Sequence, residues 1–181
     1  MKQMRRFVWY LAGRLFLLLT VFSLCVVTVY YAMNASNIYI VLKDGMAKRA
    51  QVIMMGEPAT DLNKFFQGSY LQRDENLQLA IDGKSAYSYY TVRGIDHRLK
   101  MTWMWCWPWD NEARVEFTET VPRIDGRVTS KYADEAKALY GASYESPPRW
   151  QGGRYTAKLV KENGQWHIRS IALVEALTDE D

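Results

Sequence analysis

The chain has 181 residues, 49% of them hydrophobic and 24% charged, which is ample for a folded core and excludes a disordered chain. Four of the cations behind its net charge of +3 (Lys2, Arg5, Arg6, Arg14) lie in the first fourteen residues; the remainder is close to neutral and lacks the clustered basic face that nucleic-acid binding needs. The two cysteines, Cys25 in an apolar run and Cys106 in a tryptophan stretch, argue against an intradomain disulfide and exclude a zinc-type spacing.

From Leu15 to Met33 the chain carries nineteen residues without a charge, about 28 Å of helix and enough to cross a bilayer. A signal peptide would have a shorter apolar region, and the nearest cleavage site, Met33-Asn34-Ala35, has a poor first position. Trp9 and Tyr10 at one end, and Tyr30 and Tyr31 at the other, stand where interfacial aromatics belong. The expectation is a cytoplasmic basic segment over 1–14, an uncleaved transmembrane helix over 15–33, an extracytoplasmic domain over 34–177 and an acidic tail over 178–181. With all four cations ahead of the span, the positive-inside rule places the N-terminus inside the cell membrane.

Ser36 or Asn37 can cap a helix from about Ile38 to Met55, with Ile38, Leu42, Met46, Ala50 and Ile53 along one face. Arg49 falls within that stripe, where its stem can cover apolar surface while the guanidinium reaches water; a structural role is preferred to an anion site, and Arg49 is kept as a candidate interface residue. Gly56, Glu57 and Pro58 end this helix. A short second helix, capped by Thr60, turns Leu62, Phe65 and Phe66 inward and stops near Gly68.

Beyond it the period changes to two. Leu77, Leu79 and Ile81 alternate with polar residues before the Asp82-Gly83 turn, and Tyr87 to Val92 is rich in strand formers. A long strand from about Arg98 to Trp107 is predicted to point Leu99, Met101, Trp103, Trp105 and Trp107 one way, and to end at Pro108, which has no N–H for a ladder. Asp110 and Asn111 form a turn, and the returning strand, Ala113 to Val121, sends Ala113, Val115, Phe117 and Val121 to the same apolar face. Asp125-Gly126 also reads as a turn. Ser130 caps a helix over Lys131 to Tyr140 closed by Gly141, and Ala142 to Gly153 reads as a loop; together 131–153 look inserted. Asn163-Gly164 predicts a two-residue type I′ hairpin, with Lys161 opposite Trp166, Leu159 opposite Ile168, Ala157 opposite Ser170 and Tyr155 opposite Ala172.

This fold class is α+β, with amphipathic helices packed on a curved antiparallel sheet. The helix with Lys48-Arg49-Ala50, the segment Asp61-Leu62-Asn63-Lys64-Phe65-Phe66, and the closing hairpin with Arg154-Tyr155-Thr156-Ala157-Lys158-Leu159 and Trp166-His167-Ile168 resemble the NTF2-like (SnoaL-like, cystatin-like cone) superfamily. The resemblance covers roughly residues 38–177. It implies a long helix lying across a concave sheet, around a cone that is an open pocket in isomerases and dehydratases and a filled core in protein-binding members. A membrane span ahead of such a domain is similar in architecture to VirB8-type secretion components and their Gram-positive conjugation relatives.

Catalysis on such a cone needs a titratable group buried inside it. His167 pairs with Val160 and points away from the cone; Asp96-His97 are strand neighbours that point to opposite faces, beside Arg93, Arg98 and Lys100. No serine or cysteine has a visible base partner, no glycine-rich phosphate loop occurs, and no metal cluster can be assembled. No catalytic, cofactor-binding or metal-ligating residue is therefore assigned. Trp103, Trp105, Trp107 and Phe117 are the candidate cone lining, read first as packed core and otherwise as a hydrophobic ligand pocket. Trp109 is a candidate interface residue, and the tryptophans could also form an exposed patch docking a protein partner or the outer leaflet. The functional expectation is a non-enzymatic, single-pass assembly module of an envelope complex, with the bilayer, protein partners and a homo-oligomer in view. The rival is a tethered binder or enzyme for a small apolar ligand in a tryptophan-lined cone.

Overall fold

The computed structural model describes residues 2–177, and the acidic tail expected over 178–181 lies outside the described residues. Its architecture is α+β: a long N-terminal helix and two antiparallel sheets.

Helix α1 runs unbroken from Lys2 to Met55. The break expected before Ile38 does not occur, and neither Ser36 nor Asn37 caps anything. A cap is needed only where the first N–H groups of a helix lack carbonyls four residues back; here the apolar run supplies them, and no glycine or proline interrupts residues 15–44. The first part of α1 is long and apolar enough to cross a membrane, and its apolar side chains are exposed. The hydroxyls of Thr20 and Thr28 donate to the carbonyls of Phe16 and Leu24, so neither is left without a partner in an apolar setting. In the second part Ile38, Leu42, Met46, Ala50 and Ile53 are all buried. They form the stripe against which the sheet folds.

Pro58 precedes a single turn of 3-10 helix, Ala59–Lys64, which buries Leu62. Gly68 does not stop it: it opens the four-residue helix α2, Gly68–Leu71. Between them Phe65 O accepts from Ile168 N–H (2.7 Å), and Gln67 N–H donates to Ile168 O (3.0 Å), so this segment covers part of the edge of the last strand. Residues 75–81 form α3, Glu75–Ile81, and not the expected strand, because the Asp74 carboxylate accepts from Leu77 N–H and caps a helix there. Only Leu77 of the three apolar residues is buried. Tyr87 lies in a second 3-10 turn, Ala86–Tyr89, capped by Ser85, so strand β1 begins at Tyr90 and runs to Ile95.

The main sheet has the order β2-β3-β5-β6, comprising Arg98–Trp105, Glu112–Thr120, Gly153–Glu162 and Gln165–Ala176. β1 pairs separately with β4, Ile124–Val128. Asp125 and Gly126 thus lie inside a strand and not in a turn; a Cβ on Gly126 would come within 2.8 Å of Pro147 Cγ, which explains why the smallest residue stands there. Asn163 and Gly164 both have positive φ, 51° and 83°, the backbone a type I′ turn demands. Lys161 faces Trp166 and Leu159 faces Ile168. Further out the expected register fails. An extra residue, Arg169, sits between the pairs Leu159–Ile168 and Lys158–Ser170, so Ala157 faces Ile171 and Tyr155 faces Leu173, and a second irregularity just beyond sets Arg154 opposite Glu175.

The 131–153 region holds a 3-10 turn (Ser130–Tyr132), helix α4 (Ala133–Tyr140) and a loop. Ser130 caps neither: the residue ahead of α4 is Tyr132, whose side chain makes no cap bond. Nor is the loop peripheral, since Trp150 packs against the core.

Where α1 crosses the sheet, a Cβ on Gly45 would meet Phe65 Cβ at 2.9 Å and Ile168 Cδ1 at 3.2 Å. Gly45→Val should therefore destabilise the domain by about 1–3 kcal/mol through overpacking, read as a lowered urea midpoint with an unchanged slope in detergent.

Candidate functional site

Two features stand out: a tryptophan ladder on the outer wall of the sheet and a polar cleft at its concave side. The first follows from one extra residue. Met101 pairs with Phe117 and Trp103 with Glu116, leaving Thr102 as a bulge whose hydroxyl donates to Glu116 O at 3.0 Å. Strand side chains alternate, so one inserted residue exchanges the faces of all that follows. Before the bulge Met101 lies on the core face beside buried Phe117. After it Met104 pairs with buried Val115, while Trp103 and Trp105 share the outer face with Glu116 and Arg114. Trp103, Trp105, Trp107 and Trp109 are 46, 53, 45 and 68% exposed. The candidate lining residues Trp103, Trp105 and Trp107 are therefore exposed outside the core, and of the four only Phe117 is buried in it.

The rings form one continuous row. Trp103 and Trp105 stack at 6.4 Å between centroids, Trp105 meets Trp107 edge to face at 5.3 Å, and Trp107 stacks on Trp109 at 5.3 Å. The row ends at a turn in which Asp110 N–H donates to Trp107 O. A buried Asn34 on α1 donates from Nδ2 to Pro108 O at 3.0 Å, tying this turn to the helix one residue past the apolar run. Cys106 is buried beside it, and burial pushes its thiol pKa up.

The cleft, of about 580 Å³, lies toward the far end of α1, between Met46, Arg49 and Ile53 of the helix, Glu119 and Tyr155 of the sheet, and the Trp150 loop. Arg49 is buried in the wall of this cleft. Its Nε and Nη2 reach Asp74 Oδ2 and Oδ1 at 2.5 and 2.9 Å, a bidentate pair. Burial alone would lower the guanidinium's pKa; the Asp74 hydrogen bonds, with the nearby negative charges, outweigh it and raise it. The same carboxylate caps α3, so one side chain fixes both the helix and the charge. The Arg49 guanidinium also stands 5.9 Å from the Trp150 ring.

A second buried pair joins His97 Nε2 to Glu119 Oε1 at 2.9 Å. His97 and its neighbour Asp96 do point apart: Asp96 turns out to Arg98. His97, however, goes into the fold and is not part of an exposed strand start. His167 pairs with Val160 on the outer face. Burial pushes the phenols of Tyr70 and Tyr87 up to about 12, so both stay neutral hydrogen-bonding groups at physiological pH. Among the described residues no three His, Cys, Asp or Glu side chains come together as a metal site. What the cleft offers is a rim of aromatic rings around polar side chains already paired internally.

Sequence reasoning passed over Glu119, although the alternation that sends Val115, Phe117 and Val121 inward sends Glu119 with them. A lone carboxylate in an apolar column was the available signal. No family model, curated protein or solved structure matches the chain.

Two outcomes are expected. Asp74→Ala strands a buried guanidinium and should cost about 3–5 kcal/mol, whereas the double replacement R49M/D74L should recover most of that loss, by denaturant titration. Trp105→Ala should cost about 0.5 kcal/mol or less, because a surface ring contributes little to the fold; a loss of several kcal/mol would return this ring to the core.

Proposed function

We propose that the chain is a single-pass membrane protein, N-terminus inside, whose extracytoplasmic domain is NTF2-like and acts as an interaction module in an envelope assembly of secretion, conjugation or sporulation type. The observation that carries this reading is α1 itself, one helix that serves as apolar span below and as core element above. From Met33 to Arg49 is sixteen residues, so the helix holds the cleft about 24 Å beyond the end of the apolar run. A rigid stalk of that kind presents a surface at a fixed height and orientation, which suits a component that must meet partners in an assembly. The NTF2-like reading is supported by the long helix across the concave face of a four-stranded antiparallel sheet. The non-enzymatic reading is supported by Arg49 and Glu119, whose side chains are already paired with Asp74 and His97. The partner is a protein segment that enters the membrane-distal cleft and meets Tyr87, Trp150 and Tyr155.

The size of the cleft favours a second reading. About 580 Å³ lies within the range of small-molecule sites. The ligand would carry both aromatic and polar groups to match this lining; the tryptophans outside the cone do not form its pocket.

One experiment tests orientation and occupant. In a C25S/C106S background, Ser143→Cys on the exposed surface should react in intact cells with a membrane-impermeant maleimide; labelling only after lysis would reverse the topology. A photo-crosslinking residue at Leu79 or Gln151, on the cleft rim, should give a discrete protein adduct in the native membrane. Absence of any adduct, with a small molecule co-purifying, would favour the second reading.

A further inference from the structure

The tryptophan ladder points to lipid. Tyr30, Val27 and Val26 lie three, six and seven residues before Met33, about 4.5, 9 and 10 Å below the end of the apolar run along the helix. These three residues face Pro108, Trp109 and Lys161 across a gap of about 400 Å³. Together with the Asn34–Pro108 hydrogen bond, this sets Trp109 beside the last two turns of the uncharged segment. That depth is the boundary between headgroups and acyl chains, where an indole is favoured over both water and hydrocarbon. We propose that the Trp107–Trp109 end of the ladder is inserted into the headgroup layer of the leaflet from which the domain emerges, with a lipid filling the gap between Trp109 and α1. This proposal rests on the reading of α1 as a membrane span.

The occupant follows from continuity. The exposed ring of Trp109 adjoins the apolar surface of α1 across this gap, and Trp107 stacks on Trp109, so a protein partner reaching them would have to displace headgroups. Lys161, on the same rim, places an ammonium near the level of lipid phosphate. The depth is graded along the row, whose ring centroids are spaced 6.4 Å from Trp103 to Trp105 and 5.3 Å from Trp105 to Trp107. Trp107 and Trp109 are thus immersed, Trp105 lies among the headgroups, and Trp103 stands above them.

The test uses the full chain reconstituted in phosphatidylcholine vesicles, with acyl-brominated lipid as quencher from the membrane and iodide as quencher from water. In a W9F background, the emission removed by W107S/W109S should be quenched several-fold more by brominated lipid than the emission removed by W103S/W105S, and should be spared by iodide. W107Y/W109Y, which keeps aromatic rings there, provides a second pair should the serines disturb the fold, with circular dichroism as the check. If iodide quenches Trp107 and Trp109 while brominated lipid does not, the ladder stands in water, free for a protein, and the proposal fails. If neither quencher reaches them, a second copy of the chain covers them, and it fails equally. Retaining Trp9 separates the two readings: a Trp9 signal untouched by brominated lipid overturns the span and the insertion together, whereas a quenched Trp9 with unquenched Trp107 and Trp109 overturns the insertion alone.

Discussion

The structure depends on one constraint: the stripe Ile38, Leu42, Met46, Ala50 and Ile53 belongs to the same unbroken helix as the apolar run before it. A separate domain helix could rotate about a loop and present its apolar face wherever the sheet required. Here rotation of the apolar run and rotation of the core stripe are the same motion, because consecutive residues of a helix turn by a fixed angle. Every element that closes on the stripe inherits that phase, including the segment at Phe65 and Phe66 and the inward column of β3. Gly45 shows how closely they approach.

The same constraint explains which features were legible in the sequence. Period-based signals held where packing and period agree: the apolar stripe of α1, the Asn163-Gly164 turn, the inward faces of Val115 and Phe117. They failed where a single residue changes the count. Thr102 and Arg169 are ordinary residues, and nothing in their type marks a bulge; what selects them is the curvature of a sheet wrapped around a helix, which is a property of the whole fold. The tryptophans changed sides for that reason. The α3 error was of another kind. Leu77, Leu79 and Ile81 fit a period of two over five residues, but Asp74 provides a cap, and local hydrogen bonding outweighed a short alternation. The site was less visible than the fold, since Arg49–Asp74 and His97–Glu119 join residues far apart in the chain.

Those two pairs give the concave side its character. Each encloses a polar or titratable group that burial would penalise, and each satisfies it with a partner from another element: α1 with the residue capping α3, the residue just before β2 with β3. Removing one member leaves its partner stranded, so their effect is on which arrangement is tolerated more than on how much stability is gained. The cleft thus combines a polar interior with little freedom to rearrange, and an aromatic rim that provides contact area.

The Asn34–Pro108 hydrogen bond carries a mechanical consequence. It joins the tip of the β2–β3 hairpin to the helix just above the apolar run, so on the proposed placement the domain cannot stay upright while the span leans. A bilayer thinner than the apolar segment is met by tilting the helix. With a lever of about 24 Å from Met33 to Arg49, leaning by about 20° carries the cleft sideways by roughly 8 Å. Membrane thickness would then set where the domain's far end is found, and a neighbour in a fixed ring would be met or missed according to the lipid around it.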